Sequence, residues 1–191
     1  TDAVKVTLSA PGTVYYTTDC TAPTNASTLY TGPITLDKTT VIRAVCYESG
    51  KLPSQVVDLT YVVKGGHSLP VVSLVAEPED LWSEETGIYA MGPNAQPDYP
   101  HFGANFWKDW EKTASISLFE TDGTGFSVKC GISIFGAYSR GSEKKAFSMH
   151  FRDYYGAGEL EYPLFGEDGL DSYETFILRC SGQDAFYSRM R

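Results

Sequence analysis

The chain has 191 residues and a formal net charge of -9, and 42% of its residues are hydrophobic. This composition is sufficient for one large or two small packed domains. No apolar run reaches the roughly 18 residues that a transmembrane helix needs, so we expect no membrane span. The acidic balance argues against a nucleic-acid partner.

The first 64 residues predict a small β-sandwich. Short runs rich in β-branched and aromatic residues are separated by turn residues, which is typical of antiparallel strands. These runs are AVKVTL, TVYYTT, TVIRAVCY and VVDLTYVV. No helical period occurs before residue 65, where KGGHSLP indicates a linker.

Residues 65–191 predict an antiparallel sheet with a short helix. LPVVSLVA, ASISLFE, FSVKCGISIFG and KKAFSMHFRD are typical of strands, and Asp122-Gly123 favours a hairpin turn. Pro78 and the acids after it favour a helix start. The expected fold class is mainly β with some α: an immunoglobulin- or fibronectin III-like sandwich, then an α+β antiparallel-sheet lobe.

Positive charge is concentrated in one short segment. Residues 129–152 contain five basic residues and one acid, whereas both flanking segments are acidic. The hairpin GAYSRGSEKKAF, residues 136–147, lies inside this segment, and its glycines allow backbone amides to approach a ligand closely. It matches neither the P-loop nor the kinase glycine-rich loop. A solvated turn and a phosphate site are therefore the two interpretations.

The cysteines and His150 allow structural interpretations. Cys20, Cys46, Cys130 and Cys180 lack the CxxC spacing of a metal or redox site, so no metal site is predicted. Two cysteines in each half fit disulfides Cys20–Cys46 and Cys130–Cys180 in a secreted protein, with four buried free thiols as the alternative. His150 is expected on the solvated face of its strand as an ordinary surface histidine.

Residues 14–54 resemble a known small module. The stretch VYYTTDCTAPTNASTLYTGPITLDKTTVIRAVCYESGKLPS is similar to the chitobiase/β-hexosaminidase C-terminal type of fibronectin III-like domain. The resemblance implies a spacer or stabilising module of a secreted bacterial protein, with carbohydrate contact as an alternative. Cys20 and Cys46 replace the glycine and alanine that are usual in that family, which supports their pairing.

Three segments of residues 67–191 also resemble a known family. They are HSLPVVSLVAEPEDLWSEETGIYAMG, the segment from NFWKDW to FRDYYG, and LEYPLFGEDGLDSYETFILRCSGQD. In their order and spacing they are similar to the opening of the CotH family of atypical secreted protein kinases, named for a spore-coat protein. The resemblance implies ATP-dependent phosphorylation of a protein hydroxyl with Mg²⁺ or Mn²⁺. The domains are then 1–64 and 65–191, the second a truncated kinase-like lobe that is not expected to be active alone.

The CotH resemblance also implies site residues. Lys145 stands at the family position of a lysine suited to nucleotide phosphates, so the phosphate or nucleotide candidates are Lys145, Arg140, Ser139 and Arg179. No catalytic residue is assigned, because the family's catalytic and metal-binding aspartates are expected after residue 191. Cys180 replaces a family asparagine and Cys130 a family alanine, which implies a bridge between adjacent strands.

The alternative function is a non-catalytic extracellular scaffold, or a protein that binds carbohydrate or a cell surface. An aromatic group is a candidate glycan platform or, alternatively, a core: Trp82, Trp107, Trp110, Phe102 and Phe106. Glycoside hydrolysis is disfavoured because no pair of acids shows a retaining or inverting arrangement. Both main hypotheses predict a secreted or cell-surface bacterial protein. Its partner is a protein substrate in the kinase hypothesis and an extracellular glycan in the scaffold hypothesis.

Overall fold

The computed structural model describes residues 3–63, 67–166 and 168–180. The fold is 37% strand and 7% helix, and its sheets are antiparallel where the strand registers are defined. The mainly-β class predicted from the sequence is therefore confirmed. None of the helices in this described part has the length and apolar character that a bilayer crossing requires.

Within the described ranges, thirteen strands and one short α-helix follow one another. They are β1 (Val4–Val6), β2 (Thr13–Thr17), β3 (Thr28–Leu29), β4 (Ile34–Leu36), β5 (Thr40–Tyr47), β6 (Val57–Tyr61), β7 (Val71–Ala76), α1 (Pro78–Trp82), β8 (Lys112–Phe119), β9 (Gly125–Phe135), β10 (Ala146–His150), β11 (Leu160–Glu161), β12 (Ser172–Tyr173) and β13 (Thr175–Leu178). Two 3₁₀ helices span Asn105–Trp107 and Tyr138–Gly141. Each run predicted as a strand contains one, whereas β3, β4 and β11 to β13 carry no clear sequence signal.

The chain divides into two compact units. Unit 1 comprises Thr1–Glu77 with Ser117–Gly125, and unit 2 comprises Pro78–Ile116 with Phe126–Arg191. The boundary predicted between residues 64 and 65 falls within 64–66, outside the described residues.

Unit 1 contains a β-sandwich core. The β1–β4 pair and a four-stranded sheet in the order β3-β2-β5-β6 contribute to one cluster of buried residues. Val6, Leu36, Ile42 and Val63 form this cluster. Ile42 is completely buried, which is worth about 1.5–3 kcal/mol relative to an exposed side chain.

A buried arginine organises the polar side of unit 1. The Arg43 side chain on β5 is 9% exposed, and its Nε lies 2.7 Å from Asp58 Oδ1. Its Nη1 donates to the Cys20 carbonyl at 2.7 Å and also bonds Glu77. The buried charge is thus compensated by two carboxylates and a carbonyl, as burial requires.

Unit 2 is built on the strand order β13-β10-β9-β8. On β9 and β10, Met149 lies opposite Ile132, and both side chains are completely buried. Successive strand residues point to opposite faces. The side chains of Ser133 and His150 therefore project from the other face of the β9–β10 strand pair. This polar face was predicted for His150 from the alternation in AFSMHFRD.

Neither predicted disulfide is formed, since all four cysteines carry free thiols. In unit 1, Cys46 lies opposite Val14 near the start of β2, whereas Cys20 lies beyond the end of β2 at Thr17. Thr17 is opposite Arg43, so the two cysteines belong to opposite ends of the β2–β5 ladder. A disulfide tolerates a Cα separation of only about 7 Å.

The second pair fails for a topological reason. β10 lies between β9 and β13, so Cys130 and Cys180 are not on adjacent strands, and two strand spacings already separate backbones by about 10 Å. The strand register also places the two cysteines at different heights of the sheet. Cys130 precedes Gly131, which is opposite His150, whereas Cys180 lies two residues after Leu178, which is opposite Phe147. Burial, with a smaller effect of the Glu111 charge, raises the pKa of the Cys130 thiol to about 12.

Candidate functional site

Residues 136–145, here called the basic turn, connect β9 to β10 in unit 2. Gly136 has a φ of 126°, which favours glycine strongly, and a Cβ there would clash with the Ser139 hydroxyl. The chain then forms the 3₁₀ helix Tyr138–Gly141, in which the Arg140 amide donates to the Ala137 carbonyl at 3.0 Å. The prediction of a turn is confirmed, with a 3₁₀ helix as its central part.

The Lys145 side chain points inward, because the residue is only 7% exposed. Its Nζ donates to the carbonyls of Arg140 at 2.7 Å and Ser142 at 2.8 Å. Burial lowers the pKa of this ammonium, and the electrostatic effect of the nearby Cys180 opposes that shift in part. The Lys145 side chain therefore binds two carbonyls of its own turn and stabilises the turn.

Two aromatic rings cover the Lys145 ammonium. Its Nζ lies 3.9 Å from the centre of the Phe106 ring and 5.0 Å from that of Tyr89. The Tyr89 hydroxyl accepts a hydrogen bond from the Lys145 amide at 2.9 Å and donates to the Glu143 carbonyl at 2.7 Å. Cation–π attraction of this kind is stronger when the cation is desolvated, so the rings hold the lysine in place.

Arg140 is bound to the same framework. Its Nε donates to the Gly136 carbonyl at 2.7 Å, and its Nη1 donates to the Phe106 carbonyl at 3.2 Å. The guanidinium carbon lies 5.8 Å from the centre of the Trp107 ring. Within the described residues, neither Arg140 nor Lys145 forms an ion pair with a carboxylate.

The structure brings three of the four predicted phosphate candidates together. Ser139, Arg140 and Lys145 all belong to the basic turn. Arg179 is exposed, follows β13 directly and has an interaction partner of its own. The Lys145 ammonium is bound to backbone carbonyls instead of being open to a ligand, which the sequence did not indicate.

Residues of the basic turn do not line the open cavity found in unit 2. That cavity, of about 750 Å³, lies beside β9 and β11 and is bordered by four carboxylates, those of Asp153, Glu159, Glu161 and Glu174. Its acidity disfavours a phosphate. No group of three or more His, Cys, Asp or Glu side chains in the described ranges is arranged to hold a metal ion.

Exposed aromatic side chains border the basic turn. The Phe102 ring centre lies 4.9 Å from that of Trp107 and 5.9 Å from that of Tyr138. The Tyr99 hydroxyl donates to the Tyr138 carbonyl at 2.7 Å. Tyr99, Phe102 and Tyr138 are all exposed, and with Trp107 we call them the aromatic patch.

The aromatic patch differs from the group proposed from the sequence. Phe106 is 2% exposed and belongs to the core, so it cannot form part of a glycan platform. Trp82 is exposed, but its ring contacts that of Tyr89, with 4.9 Å between the ring centres, and not the rings of the aromatic patch. Tyr99 and Tyr138 were missed because tyrosines isolated in sequence carry no pattern.

A second polar group, here called the Glu111 cluster, lies near the β9–β10 face. Glu111 accepts hydrogen bonds from Arg152 Nε at 3.0 Å and Nη2 at 2.8 Å, and from the hydroxyls of Tyr154 and Tyr155 at 2.9 Å each. The Arg152 bonds, with the tyrosine bonds and His150, lower the pKa of Glu111 to about 2 against the opposing effect of burial. The carboxylate is therefore firmly anionic.

The Glu111 cluster extends to a serine. Ser133 Oγ and His150 Nε2 are 2.9 Å apart, and His150 Nδ1 lies 3.9 Å from Glu111 Oε2. The sequence gave no signal for this group, because Glu111 is 41 residues from Arg152 in the chain. Only the alternation around His150 indicated which face it occupies.

Comparison with known proteins gives a match in the N-terminal segment. Residues 1–58 match the family model of the chitobiase/beta-hexosaminidase C-terminal domain, which agrees with the resemblance seen in the sequence. No curated protein and no solved structure matches the chain. The family match ends within unit 1, so the resemblance of residues 67–191 to CotH kinases stays a prediction.

Proposed function

We propose that unit 2 is the phosphate-binding lobe of a secreted or cell-surface bacterial protein of the CotH kinase type, with the basic turn as its nucleotide site. The observation that carries this proposal is the pair of cations Arg140 and Lys145. Among the residues that the structure describes, both contact only backbone carbonyls and aromatic rings, although the chain as a whole carries a charge of -9.

Uncompensated cations favour an anionic ligand. Buried or half-buried charges in proteins are usually paired, because transfer from water to the interior is costly. Here the backbone carbonyls satisfy hydrogen bonds without cancelling the two positive charges. The summed potential therefore attracts a group such as a polyphosphate.

The two cations have different roles in this proposal. Lys145 is 7% exposed and fixes the carbonyls of Arg140 and Ser142, so it shapes the turn and acts on the ligand through its charge. Ser139 and the outer part of Arg140 are half-buried and are better placed to touch a phosphate oxygen. Arg179 is the remaining candidate for a direct contact.

Phosphoryl transfer requires a divalent ion in addition to positive side chains. The residues described here offer no metal-binding group, so the proposal assigns Mg²⁺ or Mn²⁺ to none of them. The chain's own contribution is to bind and orient the nucleotide phosphates. The acceptor in this proposal is a hydroxyl of a protein substrate.

Titration calorimetry with ATP tests the site. We expect Arg140→Gln and Lys145→Gln to weaken ATP binding about tenfold each, equivalent to ~1.4 kcal/mol. Lys144→Gln is the matched control, because it removes the same charge from an exposed neighbour and should change the affinity less than about threefold. Near-UV circular dichroism of each variant checks that the turn remains folded.

The outcomes separate a site from a diffuse charge effect. Equal losses in the Lys144 and Lys145 variants would show that ATP is attracted by net charge alone. If the unaltered chain binds neither ATP nor tripolyphosphate, the basic turn is only a structural connection between β9 and β10. The Arg140 variant decides the question if Lys145→Gln fails to fold.

A second candidate function is glycan binding, and the aromatic patch favours it. Three of its four rings are exposed, and exposed aromatic faces stack on the apolar faces of sugar rings. In this reading the chain is a scaffold that contacts extracellular carbohydrate, and no phosphoryl transfer is involved. The match of residues 1–58 to a module named for chitobiase and beta-hexosaminidase is compatible with such a setting.

A glycan array on the intact chain tests the second candidate. Binding in the micromolar range should be lost with Tyr138→Ala and retained with Phe165→Ala, an exposed aromatic residue outside the patch. An array without any signal would remove the glycan function and leave the nucleotide function in place.

A further inference from the structure

We propose that Ser133 is a nucleophile activated by His150, and that it accepts acyl groups from activated esters. The site uses the β9–β10 face and the Glu111 cluster, and it includes none of the residues of the basic turn. The proposal is therefore independent of the nucleotide and glycan functions.

The strand register builds the first half of the site. Gly131 on β9 lies opposite His150 on β10, and Ser133 is two residues further along β9. Residues two apart on a strand point to the same face, so Ser133 and His150 share one face diagonally. Their contact of 2.9 Å between Ser133 Oγ and His150 Nε2 is a hydrogen bond.

Glycine at position 131 makes room for the second half. A Cβ at Gly131 would clash with the Glu111 carboxylate and with the Tyr155 ring. The absence of a side chain therefore lets Glu111 lie over the sheet, with its Oε2 3.9 Å from His150 Nδ1. At this distance the contact is electrostatic and not a hydrogen bond.

The charge of Glu111 selects the useful form of the imidazole. The carboxylate is held anionic by Arg152 and two tyrosine hydroxyls. A negative charge beside Nδ1 favours the tautomer with hydrogen on Nδ1, which leaves Nε2 as the acceptor facing Ser133. Ser133, His150 and Glu111 thus have the order of nucleophile, base and orienting acid.

The site is open to a small reagent. The His150 side chain is 20% exposed and that of Glu111 is 22% exposed, and Ser133 is half-buried. Backbone N–H groups of a strand paired on both edges take part in the sheet ladder, so they do not stabilise an oxyanion. This restricts the donor class to esters with good leaving groups, such as aryl esters.

The acyl transfer balances within these groups. The Ser133 Oγ–H proton moves to His150 Nε2 while Oγ bonds to the acyl carbon of the ester. The bond between that carbon and the leaving oxygen breaks. The leaving group departs either as the phenol, with the proton from His150, or as the phenolate, in which case His150 releases the proton to water. The products are O-acyl-Ser133 and the released phenol.

The test is acetylation of the intact chain by 4-nitrophenyl acetate at mildly alkaline pH. Peptide mass mapping identifies the acetylated residue, and hydroxylamine distinguishes a serine ester from a lysine amide. General-base assistance is worth about 100-fold, so Ser133 should react about 100-fold faster than Ser9, an exposed serine of unit 1. His150→Phe should remove this difference, and Ser9→Ala should leave the Ser133 rate unchanged.

Glu111 is tested as a positioning residue. We expect Glu111→Gln to slow acetylation of Ser133 about tenfold. It should also change the ¹⁵N shifts of the His150 ring from those of the Nδ1–H tautomer, a signal that a purely structural role would not move.

Either of two results would overturn the proposal. One is an unmodified Ser133 under conditions that acetylate surface lysines. The other is the same Ser133 rate in the unaltered chain and in His150→Phe. Because His150 lies on a half-buried polar face and not in the apolar core, His150→Phe is expected to fold even if Glu111→Gln does not.

Discussion

Replacing Glu111 by glutamine tests the physical account of unit 2. The substitution keeps the shape of the side chain and removes its charge. The two N–H donors of Arg152 and the hydroxyls of Tyr154 and Tyr155 then face a neutral amide. Bonds to a charged acceptor are about twice as strong as bonds to a neutral one, so we expect unit 2 to be destabilised.

The pKa of Glu111 gives the magnitude. A fall from 4.5 to about 2 corresponds to about 3 kcal/mol of preference for the charged form in the folded protein. Glu111 is 22% exposed and its partner Arg152 47% exposed, so solvent screening reduces the effect to about 2 kcal/mol.

The sign of the pH dependence follows from the same shift. The pKa is lowered in the folded state, so the stabilisation is complete above pH 4.5 and is lost as the pH falls toward 2. The difference in unfolding free energy between the unaltered chain and Glu111→Gln should therefore be largest at neutral pH. It should decrease steadily below pH 4.5.

Urea denaturation followed by tryptophan fluorescence measures the unfolding of unit 2. All three tryptophans, Trp82, Trp107 and Trp110, belong to unit 2. Glu161→Gln is the control, because that carboxylate is exposed and forms no side-chain hydrogen bond with the described residues. A loss below about 0.5 kcal/mol for Glu111→Gln at neutral pH, or an unchanged difference at about pH 3, would refute the reasoning.

Three further predictions concern the core, the basic turn and the thiols. Ile42→Ala should lower the unfolding free energy of unit 1 by about 2–5 kcal/mol, measured by circular dichroism in urea, because the side chain is completely buried. Gly136→Ala should cost at least about 1–2 kcal/mol because φ is 126°, whereas Gly32→Ala should cost less than about 0.5 kcal/mol; equal losses would remove the backbone argument. Ellman's reagent should modify Cys46 before Cys130, because the Cys130 thiol is completely buried and its pKa is raised to about 12. If no free thiol reacts under non-reducing conditions, the cysteines are bridged and the disulfide prediction is correct.

Local sequence patterns were sufficient for most strands. Runs such as TVIRAVCY and FSVKCGISIFG combine β-branched residues with turn residues at their ends, and they coincide with β5 and β9 to within one residue. The two-residue strands β3, β11 and β12 were missed, since a period of two cannot be recognised in so short a run. The position of the basic turn was also predictable from charge and glycine alone.

The direction of the side chains in the basic turn was not predictable. A lysine beside glycine and serine indicates an exposed cation, yet Lys145 is buried against Phe106 and Tyr89. Those rings come from segments 39 and 56 residues earlier in the chain, and no local pattern specifies such contacts. The Cys130–Cys180 prediction failed for a related reason, because β10 lies between β9 and β13 in the sheet.

The sequence by itself determined the mainly-β class, the similarity of its first 58 residues to a known module and the segment in which the basic residues are concentrated. These properties depend on residues close together in the chain. Only the tertiary structure decided that Lys145 points inward and that Glu111, His150 and Ser133 meet on one sheet face. Strand order and register bring these distant residues together, and both are set by packing across the whole unit.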